Sequence, residues 1–323
     1  MPSMLAVEAH ERDGAESLHV ERVDRPEPSR GEALVEVHAA GITPTELTWD
    51  TTWTTEDGRS RLPTIPSHEV SGVVVAAREG NASLVGEDVY GLIDFFHNGA
   101  AAEYVAVPTE DLARKPKSVD HVHAAALPLS ALTAWQGLFK HAGLQEHQRL
   151  LVQGAAGGVG SYAVQLGRHA GAAVIGVASA LDEQLVKELG AHGVIDYKTR
   201  RFEDAVTEVD VVFDTVGGDV QRRSWKVLKP GGTLVSIVAQ PSADLAEEHH
   251  AHGVMFIVEP NRDDLTSIAN LVDNGELTPI VSAVFPLAEG PTAYVTGLHD
   301  HVPGKIVLDV RAGGRPSDLQ TGP

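Results

Sequence analysis

The rhythm of apolar and polar positions changes once along this chain, near residue 127. Before that point, short runs alternate or cluster as strands do: ALVEVHAAGI (33–42), VSGVVVAA (70–77), EDVYGLI (87–93) and AAEYVAV (101–107). Gly, Asn or Pro stands at their edges, the punctuation expected between strands. A series of such runs predicts a twisted or barrel-like β unit rather than a layered α/β one.

Beyond 127 strand and helix patterns take turns. LLVQGA (150–155), AVIGVAS (173–179), GVIDY (193–197), VDVVFDTV (209–216) and GTLVSIV (232–238) read as strands, and GVMFIV (253–258) as a further one. Between them GVGSYAVQLGRHAG (158–171), ALDEQLVKELG (180–190) and DVQRRSWKVLKPGG (219–232) read as helices, and DDLTSIANLVDNGEL (263–277) follows. Asp182 and Glu183 stand in the first turn of the second helix and Gly190 at its end, where helix termini favour them. Continuous apolar strands alternating with helices predict a parallel sheet covered on both faces. The expected division is a β-rich domain over residues 1–126, completed by 279–310, an α/β domain over 127–278, and a disordered tail over 311–323.

Composition narrows the chemistry. The chain of 323 residues is 42% apolar and 22% charged, enough for a large core or two ordinary domains. It has no cysteine, which removes disulfides, thiolate metal sites and cysteine nucleophiles together, and fits a reducing compartment. The opening MPSMLAVEAHERDG has no basic leader, and no run is long enough to span a membrane, so the expected location is the cytoplasm. A formal net charge of -20 opposes nucleic acid and anionic membranes as partners. An anionic cofactor then needs a local reversal of that field.

One stretch provides it. LLVQGAAGGVGSYAVQLG (150–167) places five glycines and three alanines in eighteen residues, at a junction of strand and helix. Gly154, Gly157 and Gly160 lie three apart inside a βαβ unit. A dinucleotide pyrophosphate sits on such a helix N-terminus, where free N–H groups and the helix dipole favour negative charge. A side chain at Gly157 or Gly158 would hold a phosphate off, and one at Gly160 would push helix from strand. The second strand ends Val177-Ala178-Ser179, without the acid that binds ribose hydroxyls in NAD sites. Ser179 is positioned to donate to a 2′-phosphate, Tyr197 adds a hydroxyl, and Lys187, Lys198, Arg200 and Arg201 are nearby cations. NADPH is the expected cofactor.

The motifs AAGITPTEL (39–47), PSHEVSGVV (66–74), AALPLSALTAWQGL (125–138), QGAAGGVG (153–160), ELGAHGVIDY (188–197), VDVVFDTVGG (209–218), LKPGGTLVSI (228–237) and GKIVL (304–308) run in order along the chain. With them the chain to about residue 310 resembles the medium-chain dehydrogenase/reductase superfamily, on its zinc-free quinone oxidoreductase (zeta-crystallin-like) branch. The resemblance implies a GroES-like catalytic domain and a doubly wound Rossmann domain, with the site in the cleft between them, and homodimers or homotetramers. By motif position it places Gly157, Gly158 and Val159 at the pyrophosphate and Ser179 and Tyr197 at the adenosine phosphate. Thr133, Val216, Ser236, Phe256, Ile257 and Val258 fall at the ribose and nicotinamide.

Zinc alcohol dehydrogenases of the superfamily carry a cysteine where this chain has Thr43 and a His-Glu pair where it has His68-Glu69. Their four-cysteine structural zinc lobe has no counterpart here. Catalytic zinc needs three protein ligands beside water, so no metal is expected, and His68-Glu69 reads as a remnant hydrogen-bonded in the site's floor. His249, His250 and His252, and His121 and His123, read as surface histidines. Without a Lewis acid, oxidising a simple alcohol is hard, whereas reducing an alkene conjugated to a carbonyl needs mainly orientation and donors to the enolate oxygen. Many quinone oxidoreductase relatives have Asn-Pro-x-Asp where this chain reads Thr43-Pro44-Thr45-Glu46, which leaves the acceptor preference open. Thr43 as donor, Thr48 as a proton source and His68 form the catalytic candidates. Trp49, Trp53 and Asp94-Phe95-Phe96 would wall a site for a flat, conjugated carbonyl or quinone. Two other readings stay open: an enoyl reductase dedicated to one biosynthetic intermediate, and a catalytically idle NADPH-binding protein.

Overall fold

The computed structural model describes residues 2–78 and 82–312. Of the tail expected from 311 on, residues 313–323 lie outside the described residues; Arg311 and Ala312 donate their backbone N–H groups to Asp309. The chain divides into two compact units. The first takes the described residues of Met1–Leu129, Glu259–Asp273 and Val281–Pro323, and the second Ser130–Val258 and Asn274–Ile280.

The first unit opens with an antiparallel hairpin, β1 (Ser3–Ala9) and β2 (Leu18–Asp24), whose register pairs Glu8 with His19 and Ala6 with Glu21. Its centre is β3 (Glu32–Ile42), flanked by β4 (Glu69–Ala77) on one side and pairing also with β6 (Tyr104–Pro108). β5 (Asp88–Leu92) and β7 (Leu112–Arg114) continue the sheet beyond β4. The end of β3 is built of small residues for a packing reason: a Cβ on Gly41 would lie 2.3 Å from the carbonyl oxygen of Ala125. Val35, Val37, Val70, Val74 and Ile306 share the core of this unit.

The second unit is a six-stranded, wholly parallel sheet, as the continuous apolar runs require. Its strands are β8 (Arg149–Gln153), β9 (Ala173–Ala178), β10 (Gly193–Asp196), β11 (Val209–Asp214), β12 (Leu228–Ser236) and β13 (His252–Met255), in the spatial order β10-β9-β8-β11-β12-β13. Every residue of β11 is buried. The order reverses direction between β8 and β11, and ligands of such sheets bind at that switch point, outside the carboxyl ends of the strands. The helix Gly158–His169 leaves β8 at that place.

β14 (Val281–Pro286) and β15 (Lys305–Asp309) return to the first unit, where β15 pairs with β3 and completes a seven-stranded sheet. Two helices differ from the sequence reading. The helix expected over 219–232 ends early: Gly218–Ser224 is α-helical, Trp225–Val227 is a 3₁₀ turn, and LKPGG already runs in β12. The helix Arg262–Asp273, read as part of the α/β domain, belongs to the first unit, where Arg262 Nε donates to Leu112 O at 2.8 Å and Ser118 N–H to Asp273 at 2.8 Å. Among the described residues no helix is long and apolar enough to cross a membrane.

Candidate functional site

The glycine elbow in the second unit is built by three different demands. Gly154 has a φ of +68°, a left-handed conformation that glycine adopts without strain, and a Cβ there would stand 2.4 Å from Thr215 Oγ1. Gly160 is held by contact, since its Cβ would lie 2.1 Å from Gly154 O, a backbone atom. At Gly157 a Cβ would meet only Gly154 O at 3.4 Å, an ordinary distance. Space above Gly157 is therefore open, and Gly157 is the N-cap of the helix Gly158–His169 without any side chain capping it. The first-turn N–H groups, those of Gly158 and Val159 among them, have no intrahelical acceptor and point at an anion position. These residues fit a pyrophosphate.

Asp214, at the end of β11, organises the neighbouring loops. Its Oδ1 accepts the N–H groups of Val216 at 3.0 Å and Gly217 at 2.9 Å, and its Oδ2 accepts from Ser236 Oγ and Gln221 Nε2, each at 3.0 Å. Nothing in a single strand-end aspartate singled it out in sequence. Val216 is thereby held 51% exposed at the strand ends. Ser236 is fully buried; its hydroxyl hydrogen goes to Asp214 and its oxygen accepts from Gln221. Its side chain shapes the loop and offers no donor to a ribose.

Ser179 corrects the expectation drawn for the end of β9. The sequence shows no acid immediately there, but the chain folds Asp182 back, and Ser179 Oγ donates to Asp182 Oδ2 at 2.7 Å with both residues buried. The hydroxyl proton expected for a 2′-phosphate is committed to a carboxylate. Tyr197 instead is 58% exposed, and it lines a cavity of about 510 Å³ with Val177, Arg200, Arg222, Arg223 and Lys226. Arg223 is paired with Glu203 at 2.7 Å and Asp219 at 2.7 Å, and Arg222 with Asp219. Arg200 and Lys226 have no ion pair among the described residues.

The other expected cofactor residues differ in access. Thr133 is buried on the helix Pro128–Trp135. The strand expected over 253–258 ends at Met255, so Phe256, Ile257 and Val258 follow it as an irregular segment. Phe256 is buried and stacks on His141 at 4.3 Å, over Gly137, where a Cβ would collide with Phe213 at 2.3 Å. Ile257 is 68% exposed, while Val258 is buried.

In the first unit the catalytic candidates meet a buried polar cluster. Lys305 Nζ donates to Thr43 Oγ1 at 3.0 Å and pairs with Glu69 Oε2. Glu69 Oε1 accepts the backbone N–H of Leu129 at 3.0 Å. Glu46 Oε1 accepts from Tyr294 OH at 2.5 Å and Glu46 Oε2 from Ser67 N–H at 3.1 Å. Ser67 holds a left-handed φ of 74°, and its hydroxyl donates to Gly41 O at 2.9 Å. Lys305, Glu46 and Tyr294 come from distant parts of the chain, and sequence reasoning assigned them no role.

His68 is 3% exposed, its Nε2 lying 3.7 Å from Glu46 Oε2 and its ring edge-on to Phe95 at 5.2 Å. Burial, and then Arg61, push its pKa down to about 3, while burial pushes Glu46 up to about 7. The two are neighbours rather than an ion pair at neutral pH, and a neutral His68 has no labile acid to give near neutrality. Thr48 is exposed and donates its hydroxyl hydrogen to Thr45 O at 2.7 Å, so it too has none to offer. Of the expected aromatic walls, Trp53 is core, with Nε1 donating to Leu47 O at 3.1 Å; Trp49 and Phe95 pack edge to face at 5.3 Å and stay half-buried.

A zinc ion does not fit the Thr43, His68, Glu69 positions. Both Glu69 oxygens are engaged, Thr43 Oγ1 accepts from an ammonium, and that ammonium would oppose a dication. His68 Nδ1 is a buried atom without a partner, but a single ligand atom does not make a site. His121 Nδ1 lies 2.8 Å from Ser71 Oγ, and Asp120 caps its helix through His123 N–H, which accounts for both histidines structurally.

Comparison with known proteins agrees with this architecture. Residues 29–117 match the alcohol dehydrogenase GroES-like domain family, and residues 189–308 match the zinc-binding dehydrogenase family. A probable zinc-binding oxidoreductase, mitochondrial, of Arthroderma benhamiae is 35% identical over 309 residues, covering 88% of this chain and 92% of the relative. An NADPH-dependent alkenal/one oxidoreductase, chloroplastic, of Arabidopsis thaliana is 32% identical over 299 residues, covering 88% and 73%. Among solved structures, a quinone oxidoreductase from Coxiella burnetii superposes with a TM-score of 0.89 at 29% identity, over 96% of this chain and all of that one.

Proposed function

The chain belongs to the medium-chain dehydrogenase/reductase superfamily, and we propose that it is an NADPH-dependent, zinc-free reductase of quinones or α,β-unsaturated carbonyl compounds. Membership makes it an oxidoreductase with a nicotinamide cofactor and a small-molecule substrate. The observation that carries the finer reading is Lys305, whose ammonium stands against Thr43 and Glu69. It supplies a fixed cation to the cluster without any metal.

Bound NADPH supplies the hydride; the chain supplies placement and charge. The uncapped helix end behind Gly157 would hold the pyrophosphate, and Val216, Thr133 and the Phe256–Val258 segment would border the nicotinamide end. Tyr197, Arg200 and Lys226 favour the additional phosphate of NADPH, reversing locally the field of a chain of net charge -20. At the acceptor, Thr43 Oγ1 already receives a hydrogen from Lys305, so its own single hydrogen is left to donate. Directed at a carbonyl oxygen, that donor stabilises the enolate as negative charge develops there. One preorganised oxyanion donor is worth about 2.7–4 kcal/mol of barrier. Since neither Thr48 nor His68 has a proton to give, the carbon takes its proton from water.

The test is turnover on a panel of quinones, enones and enoyl thioesters with NADPH or NADH, before and after dialysis against a chelator. The expected result is faster turnover with NADPH, on quinones or enones, unchanged by chelation. Turnover confined to one enoyl thioester would establish a dedicated enoyl reductase. Binding of NADPH without turnover of any acceptor would mark an idle binding protein, and activity lost on chelation and restored by zinc would defeat the reading.

A further inference from the structure

Zinc is refused at the position where metal-dependent relatives carry it, yet metal-ligating side chains do gather elsewhere, on the β1–β2 hairpin. We propose that Glu8, His10 and Glu21, with His19 as a fourth ligand, form a zinc site on one face of this hairpin, remote in role from the cofactor and acceptor residues.

The strand register builds it. Residues opposite each other in an antiparallel pair point to the same face, as do residues two apart along a strand. Glu8 is opposite His19, Ala6 is opposite Glu21, and β1 carries Ala6, Glu8 and, just beyond its end, His10 in steps of two. All four side chains therefore share one face. Among the described residues this is the group whose ligand atoms come together: one atom each from Glu8, His10 and Glu21 lie within 4.8 Å of one another. His10 Nε2 is 2.5 Å from Glu21 Oε1 and 3.7 Å from Glu8 Oε2, and the His19 ring centroid is 6.0 Å from that of His10. Zinc bonds of about 2.0–2.2 Å set neighbouring ligand atoms of a tetrahedron roughly 3.3–3.6 Å apart. The spacing needs only a small side-chain adjustment, which exposed His10 and His19 can make.

A second observation points to a cation. The Glu8 side chain is 11% exposed, and its carboxylate has one printed contact among the described residues, the His10 Nε2 at 3.7 Å. Glu21 lies on the same face and brings a second carboxylate to the same place. A buried carboxylate set against a second one is stabilised by positive charge between them. Two carboxylates and two imidazoles are a set that zinc favours over calcium or magnesium, which prefer oxygen alone. The ion would tie β1 to β2 across the register and stabilise the hairpin, since it binds the folded arrangement and not the unfolded chain.

The test is titration of the full chain with zinc chloride, followed by calorimetry and by thermal unfolding. Wild type should bind one equivalent and unfold at higher temperature. His10→Ala and Glu21→Gln should each weaken that binding by about 10–100-fold, a loss that even groups merely supporting a ligand can cause. A His249→Ala/His250→Ala/His252→Ala variant should keep it. Cobalt substitution should give the visible absorption of a four-coordinate ion in wild type and not in His10→Ala. Binding that survives in His10→Ala, or that disappears with the His249, His250, His252 variant, overturns the site, as does the absence of uptake below millimolar zinc. Turnover should be indifferent to zinc, so failure here leaves the reductase reading untouched.

Discussion

The two functional regions of this protein solve opposite problems. At the elbow of the second unit the chain leaves backbone groups unsatisfied, with an uncapped helix end and open space above Gly157. In the first unit nearly every polar atom around Glu46, Glu69 and Lys305 is paired inside the fold. In the proposed function, the first region receives a large anion and the second aims one hydroxyl. Binding requires exposed donors; aiming requires that competing partners already be taken.

The comparison can be broken most severely at the elbow. Gly160→Ala puts a Cβ 2.1 Å from a backbone carbonyl that cannot step aside, and such overpacking costs about 1–3 kcal/mol or more. It should lower the unfolding temperature and abolish cofactor binding together. Gly157→Val has room for its Cβ and should leave unfolding unchanged while weakening NADPH roughly 10–100-fold, the loss of one charge-assisted hydrogen bond. Equal unfolding and equal nucleotide titration in both variants would remove the distinction between a packing glycine and a cradle glycine.

The first unit breaks differently. Lys305→Met leaves Glu69 charged and buried, a change that costs about 3–5 kcal/mol. Lys305→Met/Glu69→Gln should restore most of that stability, because no buried charge is left alone. Its turnover should stay low, with kcat falling more than KM rises, since Thr43 then lacks the partner that frees its proton. A double variant with wild-type kcat would show that Lys305 acts only as a structural counterion.

What the sequence disclosed follows the same divide. The elbow lies in contiguous residues whose glycines have local causes, so Gly154, Gly157 and Gly160 could be read in line, as could the strands β8 to β11. The polar cluster joins residues 43, 46, 67–69, 294 and 305: the pairing of β15 with β3 brings Lys305 to Thr43, that of β3 with β4 brings Glu69, and the helix Gly290–His299 brings Tyr294. No local pattern marks Lys305 as the partner of Thr43. Ser179 failed for a related reason: the residue three positions on, Asp182, turns back onto it. The acids and histidines of the β1–β2 hairpin stand in two separate stretches, 8–10 and 19–21, which only the strand register brings to one face. The helix read over 219–232 also runs too far at LKPGG, where a proline-glycine sequence that usually signals a turn runs as the start of β12.

A smaller effect concerns pH. Glu46 is raised from an ordinary 4.5 to about 7, so its folded form holds a proton that the unfolded chain has lost. Its contribution to stability is complete below 4.5 and is lost as pH rises through 7, up to about 3 kcal/mol in all. His68, lowered from 6.5 to about 3, contributes in the other direction: complete above 6.5 and lost as pH falls through 3. Between 4.5 and 6.5 the two slopes oppose each other. Wild-type stability should therefore vary little there, while Glu46→Gln should grow more stable with rising pH and His68→Gln less. Denaturant unfolding at a series of pH values checks this, and parallel slopes in all three proteins would mean that the two groups do not titrate as their burial implies.

The finest distinction lies within the nucleotide region itself. Asp182 holds the Ser179 hydroxyl and places a carboxylate just past the end of β9, whereas Arg200 and Lys226 line the crevice next to Tyr197. These groups pull in opposite directions on a 2′-phosphate, and the proposed NADPH preference requires the cations to prevail. Asp182→Asn removes one repulsion while keeping a hydrogen-bonding amide near Ser179. It should improve NADPH over NADH by about 1 kcal/mol, roughly fivefold, as expected for a single charge acting through a partly hydrated site. Arg200→Gln should shift the ratio by a similar amount the other way, and the shift should shrink as salt rises, because screening weakens exposed charges first. If Asp182→Asn instead weakened NADH and left NADPH alone, the carboxylate would be a ribose-hydroxyl acceptor, and the natural cofactor would be NADH.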